Sequence, residues 1–236
     1  MNHRPAPQTA LTDPRLWRGS GAAPLRAQAT GWTALDAVLP GGGWPRGALS
    51  EVLYAQPGAG ELSLLLPLLA RLTRAGQPVA FVSPPCRLHA PALAAGGVAL
   101  PHTLVVQAPC GVDALWSAEQ LLHAGSAALL LWCRDIETTA MRRLQLAAEK
   151  GDGLALLMRP LAAAASPSVA ALRLRIERID GTPTVEVLKC RGARPTQRIA
   201  LTVPALRTPT RAPASPARTL ARWQAGTQVL ADRPTA

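Results

Sequence analysis

The chain has 236 residues, 48% of them apolar and only 3% aromatic, and a formal net charge of +11 carried almost wholly by arginine. That length suffices for one sizeable domain with a core of Leu, Ala and Val. No uncharged run approaches the roughly 20 residues a membrane-spanning helix needs, since the apolar stretch 62–72 is short and contains Arg71. The basic charge has two readings. One is an acidic partner, nucleic acid or an acidic protein surface; the other is an arginine-rich composition with no function of its own.

Residues 1–29, rich in Pro, Ala, Arg and Gly, read as a flexible N-terminal arm. Its one apolar knot, Leu16-Trp17, is a candidate anchor onto this domain or onto a partner. A core is expected over 30–203. It opens with the lead-in TGWTALDAVLPGGGWPRG, a strand over 48–55, a second glycine-rich loop and a helix starting at Glu61. Strand, Gly-rich loop and helix N-terminus in that order is the setting in which backbone N–H groups and the helix dipole receive phosphate. The motif wanted is G-x-x-x-x-G-K-[ST]. What stands here is Ala55-Gln56-Pro57-Gly58-Ala59-Gly60-Glu61-Leu62: the second glycine, Gly60, is present and Gly58 lies within the loop, but Glu61 stands in the lysine position, Leu62 stands in the hydroxyl position, and Pro57 removes one N–H donor. The loop has the shape signal of a P-loop without its charge.

Further on, residues 62–73 read as a helix buried almost all round, ended at Gly76. Runs at 78–83 (PVAFVS) and 127–133 (AALLLWC) read as strands covered on both faces, with further strands at 103–107 and 154–158. Helices are expected over 87–95, 112–123 and 136–150, the last amphipathic, with Arg142 and Arg143 off its apolar face as candidate partner contacts or simply solvated charges. Asp135 and Glu137 suit the start of that helix electrostatically. Strands at 169–179, 184–190 and 197–203 follow, with the first turn placed at Gly181-Thr182-Pro183. Alternating strands and helices followed by hairpins predict an α/β fold whose central sheet is mostly parallel, with antiparallel C-terminal edge strands.

Residues 204–236 return to Pro, Ala, Thr and Arg and read as a disordered basic tail, with a short helix around 219–230. Arg218, Arg222 and Trp223 are its candidate partner contacts. Cys86, Cys110, Cys133 and Cys190 form no C-x-x-C pair, and His89, His102 and His123 are isolated. No metal or other cofactor is expected, and reduced thiols in a cytoplasmic protein are the expectation.

The order of motifs from TGWTALDAVLPGGGWPRGALSEV through PVAFVS and AALLLW to VEVLKCRG resembles a RecA-type core with a degenerate P-loop. LPGGGWPRGALSE together with TTAMRRLQLAAEKG resembles, more closely, the ImuA family of RecA/SulA-like accessory proteins of SOS translesion DNA synthesis. That resemblance implies an ImuB-type partner, an inactive Y-family polymerase homologue. RecA and an error-prone replicative-type DNA polymerase stand as further candidate partners, with DNA contact indirect or weak. The chain departs from the RecA pattern where chemistry would sit. The stretch matching the water-activating glutamate is Ser83-Pro84-Pro85-Cys86, and the end of the strand that should carry an Mg-supporting aspartate is Leu131-Trp132-Cys133. With Glu61 in the lysine position, the expectation is a non-catalytic adaptor. A nucleotide-dependent RecA-like ATPase and a SulA-like division inhibitor remain the alternatives. Lys189 and Arg191 match a basic pair that RecA directs across its subunit interface, and they read equally well as charges blunting a sheet edge.

Overall fold

The computed structural model describes residues 26–109, 111–191 and 198–201. In chain order its elements are β1 (Ala27–Gln28), α1 (Thr33–Asp36), β2 (Trp44–Pro45), β3 (Ala48–Tyr54), α2 (Glu61–Arg74), β4 (Val79–Val82), α3 (Ala90–Ala95), β5 (Thr103–Val106), α4 (Val112–His123), β6 (Ala128–Trp132), α5 (Thr138–Gly151), β7 (Leu154–Pro160), β8 (Leu172–Ile179), β9 (Thr182–Cys190) and β10 (Ile199–Ala200). Eight strands form one sheet in the order β10-β9-β8-β3-β7-β6-β4-β5. From β8 to β5 every pairing is parallel, while β9 adds to β8 and β10 to β9, both antiparallel. This is the expected α/β architecture, consistent with a RecA-like core.

The sheet is covered on both sides because its strands alternate between two apolar layers. Val52, Phe81, Leu130, Leu156 and Leu174 face the side holding Leu64, Leu65 and Leu68 of α2. Leu49, Ala80, Leu129 and Ala155 face Ala118 and Leu122 of α4 and Met141 and Leu144 of α5. Burial on both faces is why β4 (VAFV) and β6 (ALLLW) read as unbroken apolar runs rather than alternating ones. Phe81 and Trp132, on neighbouring strands, stack with ring centroids 6.3 Å apart.

The lead-in folds as a clasp over α2. Thr30 N–H donates to Asp36 Oδ1 (2.7 Å), Trp32 N–H donates to Thr30 Oγ1 (3.0 Å), and the Trp32 indole N–H donates to Leu64 O of α2 (2.8 Å). Ala27 and Gln28 already pair with Pro45 and Trp44, so the described pairing begins inside the stretch expected as an arm. Gly43 is required there by close approach, because a Cβ would run into the Gln28 carbonyl and lie 2.7 Å from Ala29 Cα, both backbone. Gly43→Ala should therefore open the β1–β2 pair at a cost of about 1–3 kcal/mol. Amide exchange at residues 27–28 reads this directly, and unchanged protection there would refute it.

Several element bounds differ from expectation for local reasons. The helix expected over 87–95 starts only at Ala90, with proline in its first turn, where a missing N–H costs nothing. The hairpin turn falls at Asp180-Gly181, both at positive φ (50° and 77°), one residue earlier than expected, and Pro183 belongs to β9. The stretch 160–168 contains a 3-10 turn, Leu161–Ala165. Of the strand expected over 197–203, Ile199–Ala200 pairs with β9. Leu16, Trp17, Arg218, Arg222 and Trp223 lie outside the described residues. Among the described residues no helix is long and apolar enough to cross a membrane.

Candidate functional site: a phosphate-type turn filled by its own glutamate

Strand β3 delivers the chain at Tyr54 into an exposed turn, and α2 takes it up at Glu61. Gly58 and Gly60 sit at φ 85° and 114°, conformations that side-chain-bearing residues rarely adopt, and Gly60 is the helix N-cap. A turn of this kind points backbone N–H groups at its own centre, where an anion belongs.

That centre holds the Glu61 carboxylate. Gly58 N–H donates to Glu61 Oε1 (2.8 Å) and Gly60 N–H donates to Glu61 Oε2 (3.0 Å). Glu61 is only 5% exposed. The side chain in the lysine position thus reaches back and takes both donors, one per oxygen, at the positive end of α2. A phosphate entering the turn would have to displace it and would meet a like charge, so the residues present do not fit a nucleotide phosphate. Leu62, in the hydroxyl position, faces elsewhere. With Leu66, Leu88 and Leu93 it lines an apolar groove of about 250 Å³.

Around the turn the expected acid positions are apolar or turned aside. β4 ends in Val82, after which the Ser83 hydroxyl donates to Ala108 O (2.8 Å) and Cys86 is exposed. β6 ends in buried Trp132, and buried Cys133 follows it. Tyr54, just before the turn, is held above the ordinary phenol value of 10.0, chiefly by burial and secondarily by the Glu61 charge, against a smaller opposing pull from Arg134. Burial also raises the Cys190 thiol above 9.0. Both groups are neutral in the folded state at pH values where the unfolded chain already ionises. Their stabilisation is therefore complete below the unfolded pKa values and lost as pH rises through the folded ones. Tyr54→Phe should flatten the fall in melting temperature between pH 9 and 11, and a fall as steep as in the unsubstituted chain would remove Tyr54 as a cause.

The charged centre that sequence reasoning missed lies on the face toward α4 and α5. Glu51 of β3 is fully buried between Arg159 of β7 and Arg173 of β8, with Arg159 Nη1 2.9 Å from Oε1 and Arg173 Nε 2.5 Å from Oε2. Arg173 also donates to the carbonyls of Ala163 (2.7 Å) and Ser166 (3.2 Å), pinning the 3-10 turn after β7. A lone acid inside the apolar strand ALSEVLY is the available signal, since a buried charge demands counter-charges; Arg159 is the one arginine of β7, and Arg173 is one of three in β8.

The other candidates separate. Arg143 pairs with Glu119 of α4 (2.7 Å) while Arg142 is exposed. Glu137 is the N-cap residue of α5 without a side-chain cap; its Oε2 accepts from the Thr139 hydroxyl (3.3 Å). A bulge in β9 opposite Arg173/Leu174 re-aims the strand end. Lys189 then donates to Ser168 O (2.7 Å), and Arg191 lines a cleft of about 120 Å³ with Arg26 and Arg46 at the opposite, N-terminal end of β3. The structure therefore does not bring Lys189 and Arg191 to the glycine turn.

Fold and site together define an α/β core of P-loop type whose anion turn is self-filled. No family model matches the chain. It is similar to the RecA protein of Leifsonia xyli, 33% identical over 130 residues, which is 55% of this chain and 36% of that protein. It is also similar to the RecA proteins of Clavibacter michiganensis, 33% identical over 130 residues, 55% of this chain and 35% of that protein, and of Bordetella petrii, 30% identical over 130 residues, 55% and 36%. The chain spans about a third of the length of these curated relatives.

Proposed function

We propose that this chain is a non-catalytic, RecA-like adaptor of SOS-induced, error-prone translesion DNA synthesis in the cytoplasm. It joins an ImuB-type, inactive Y-family polymerase homologue to RecA and to an error-prone replicative-type polymerase, with DNA contact indirect or weak. The observation that carries the non-catalytic part of the reading is the Glu61 carboxylate seated on the Gly58 and Gly60 N–H groups, where a nucleotide phosphate would otherwise bind, while the translesion setting and the partners rest on the resemblance of LPGGGWPRGALSE and TTAMRRLQLAAEKG to the ImuA family. The absence of an acid at Ser83-Pro84-Pro85-Cys86 and at Leu131-Trp132-Cys133 supports it. The likeness to RecA proteins favours a second reading, a nucleotide-binding protein that displaces Glu61. ATP binding and hydrolysis by the purified chain, beside a Glu61→Lys, Leu62→Thr variant, separates the two. The adaptor reading expects neither activity in the unsubstituted chain, and clear turnover would overturn it.

A further inference from the structure

The eight-stranded sheet ends in β10 on one side and β5 on the other, and the two ends differ in charge. At the β9–β10 end stand Lys189, Arg191 and Arg198, with Arg198 3.5 Å from Glu186 and 3.6 Å from Glu177. Charge placed so keeps an edge from pairing with another chain. Strand β5 (TLVV) has none. It lies within residues 88–112, which contain no Asp, Glu, Lys or Arg and form the longest such stretch of the chain. Val105, inside the strand, is 43% exposed.

The backbone of β5 is used on one side alone. Val106 O accepts from Ser83 N–H (2.9 Å), so the polar groups of Val106 and, two residues earlier, of Leu104 face β4. Those of Thr103, Val105 and Gln107 face outward. The Thr103 N–H is met by Leu100 O. The Thr103 carbonyl, both groups of Val105 and the Gln107 N–H have no partner among the described residues. Two copies laid antiparallel about a two-fold axis at Val105 match these groups. Each Val105 N–H then meets the other Val105 O, and each Gln107 N–H meets the other Thr103 O, so the edge is its own complement. Copies of a chain with a net charge of +11 repel one another, and an edge without charge is where they approach at least cost.

We infer that β5 pairs with β5 of a second copy across this two-fold axis, joining the two sheets into one in a reversible homodimer. The dimer goes beyond the adaptor reading and does not rest on it. The nucleotide assay tests that reading without touching this edge.

The test is sedimentation velocity of the full, nuclease-treated chain over a range of concentrations, with amide exchange followed by NMR at the lowest and the highest. The 24.7 kDa chain should pass from monomer to dimer, more readily as salt screens the like charge. The Val105 and Gln107 amides should gain about tenfold protection where about nine-tenths of the chain is dimer. Those of Leu104 and Val106, already bonded to β4, should not change. Val105→Pro removes an N–H that the monomer does not use, at a position an edge strand tolerates, and Val105→Lys sets two cations opposite each other. Each should weaken the dimer about tenfold or more, with the melting temperature of the dilute chain held within about 2 °C. Ala200→Lys, on β10, should leave the dimer as it is. A monomer at every concentration up to about 1 mM, assembly that continues past the dimer, or a dimer indifferent to both Val105 substitutions would overturn the inference. Protection of Val105 and Gln107 in cell extract but not in the concentrated pure chain would give the edge to a foreign strand and overturn it too.

Discussion

Glu51→Gln should lower the unfolding free energy by about 3–5 kcal/mol, because it leaves two buried guanidinium groups facing no charge. Glu51 is 0% exposed, and Arg159 and Arg173 are 6% and 7% exposed. For a chain of this length that cost corresponds to a fall in melting temperature of about 6–20 °C, a large part of a total stability of about 5–15 kcal/mol. Glutamine keeps the shape, so cavity formation does not enter the comparison. Adding Arg159→Met to Glu51→Gln removes one of the stranded cations and should recover part of the loss. The two changes should then couple by about 0.5–3 kcal/mol rather than add. Both guanidinium groups also serve backbone carbonyls, Arg159 that of Arg134 and Arg173 those of Ala163 and Ser166. Arg173→Met should expose the 161–166 turn to protease as well as lowering the midpoint. Denaturant midpoints for the unsubstituted chain, Glu51→Gln, Arg159→Met, their double variant and Arg173→Met decide the matter, and a Glu51→Gln cost below about 1 kcal/mol would mean the pairs are not a unit.

The layers of the fold are legible in the sequence where burial is two-sided or periodic. VAFV and ALLLW can only be central strands, and α4 runs over Val112–His123 as its apolar spacing and following turn require. Strand order is another matter. Nothing local says that β3 lies between β7 and β8, because parallel neighbours are joined by long connections. For the same reason the Glu51 centre stays hidden, since its partners are 108 and 122 positions away along the chain and meet only once the order is known. The glycine turn is half legible. Gly58, Gly60 and the substitution at Glu61 can be read directly, and they establish what is lost. That the carboxylate folds back onto the two N–H groups depends on the positive φ of both glycines acting together, which spacing does not encode.

That fold-back makes the turn convertible. The unsubstituted chain should gain no thermal protection from ATP with Mg²⁺, because ligand binding must first expel a carboxylate held by two charge-assisted bonds. Glu61→Lys with Leu62→Thr restores both the cation and the hydroxyl of the phosphate motif and vacates the donors. With ATP at ten times its Kd, linkage then gives about 1.4 kcal/mol of stabilisation, or about 3–6 °C in the melting temperature. Glu61→Gln separates charge from shape. The amide oxygen keeps one N–H satisfied and the amide NH₂ opposes the other, so this variant should lose about 1–3 kcal/mol without ligand and gain little from ATP. Hydrolysis should stay absent even in the converted turn, since no acid stands at Ser83-Pro84-Pro85-Cys86 or Leu131-Trp132-Cys133 to orient water or support the metal. Protection of the unsubstituted chain by ATP would show that Glu61 swings out under load, acting as a gate to a working nucleotide site instead of a plug.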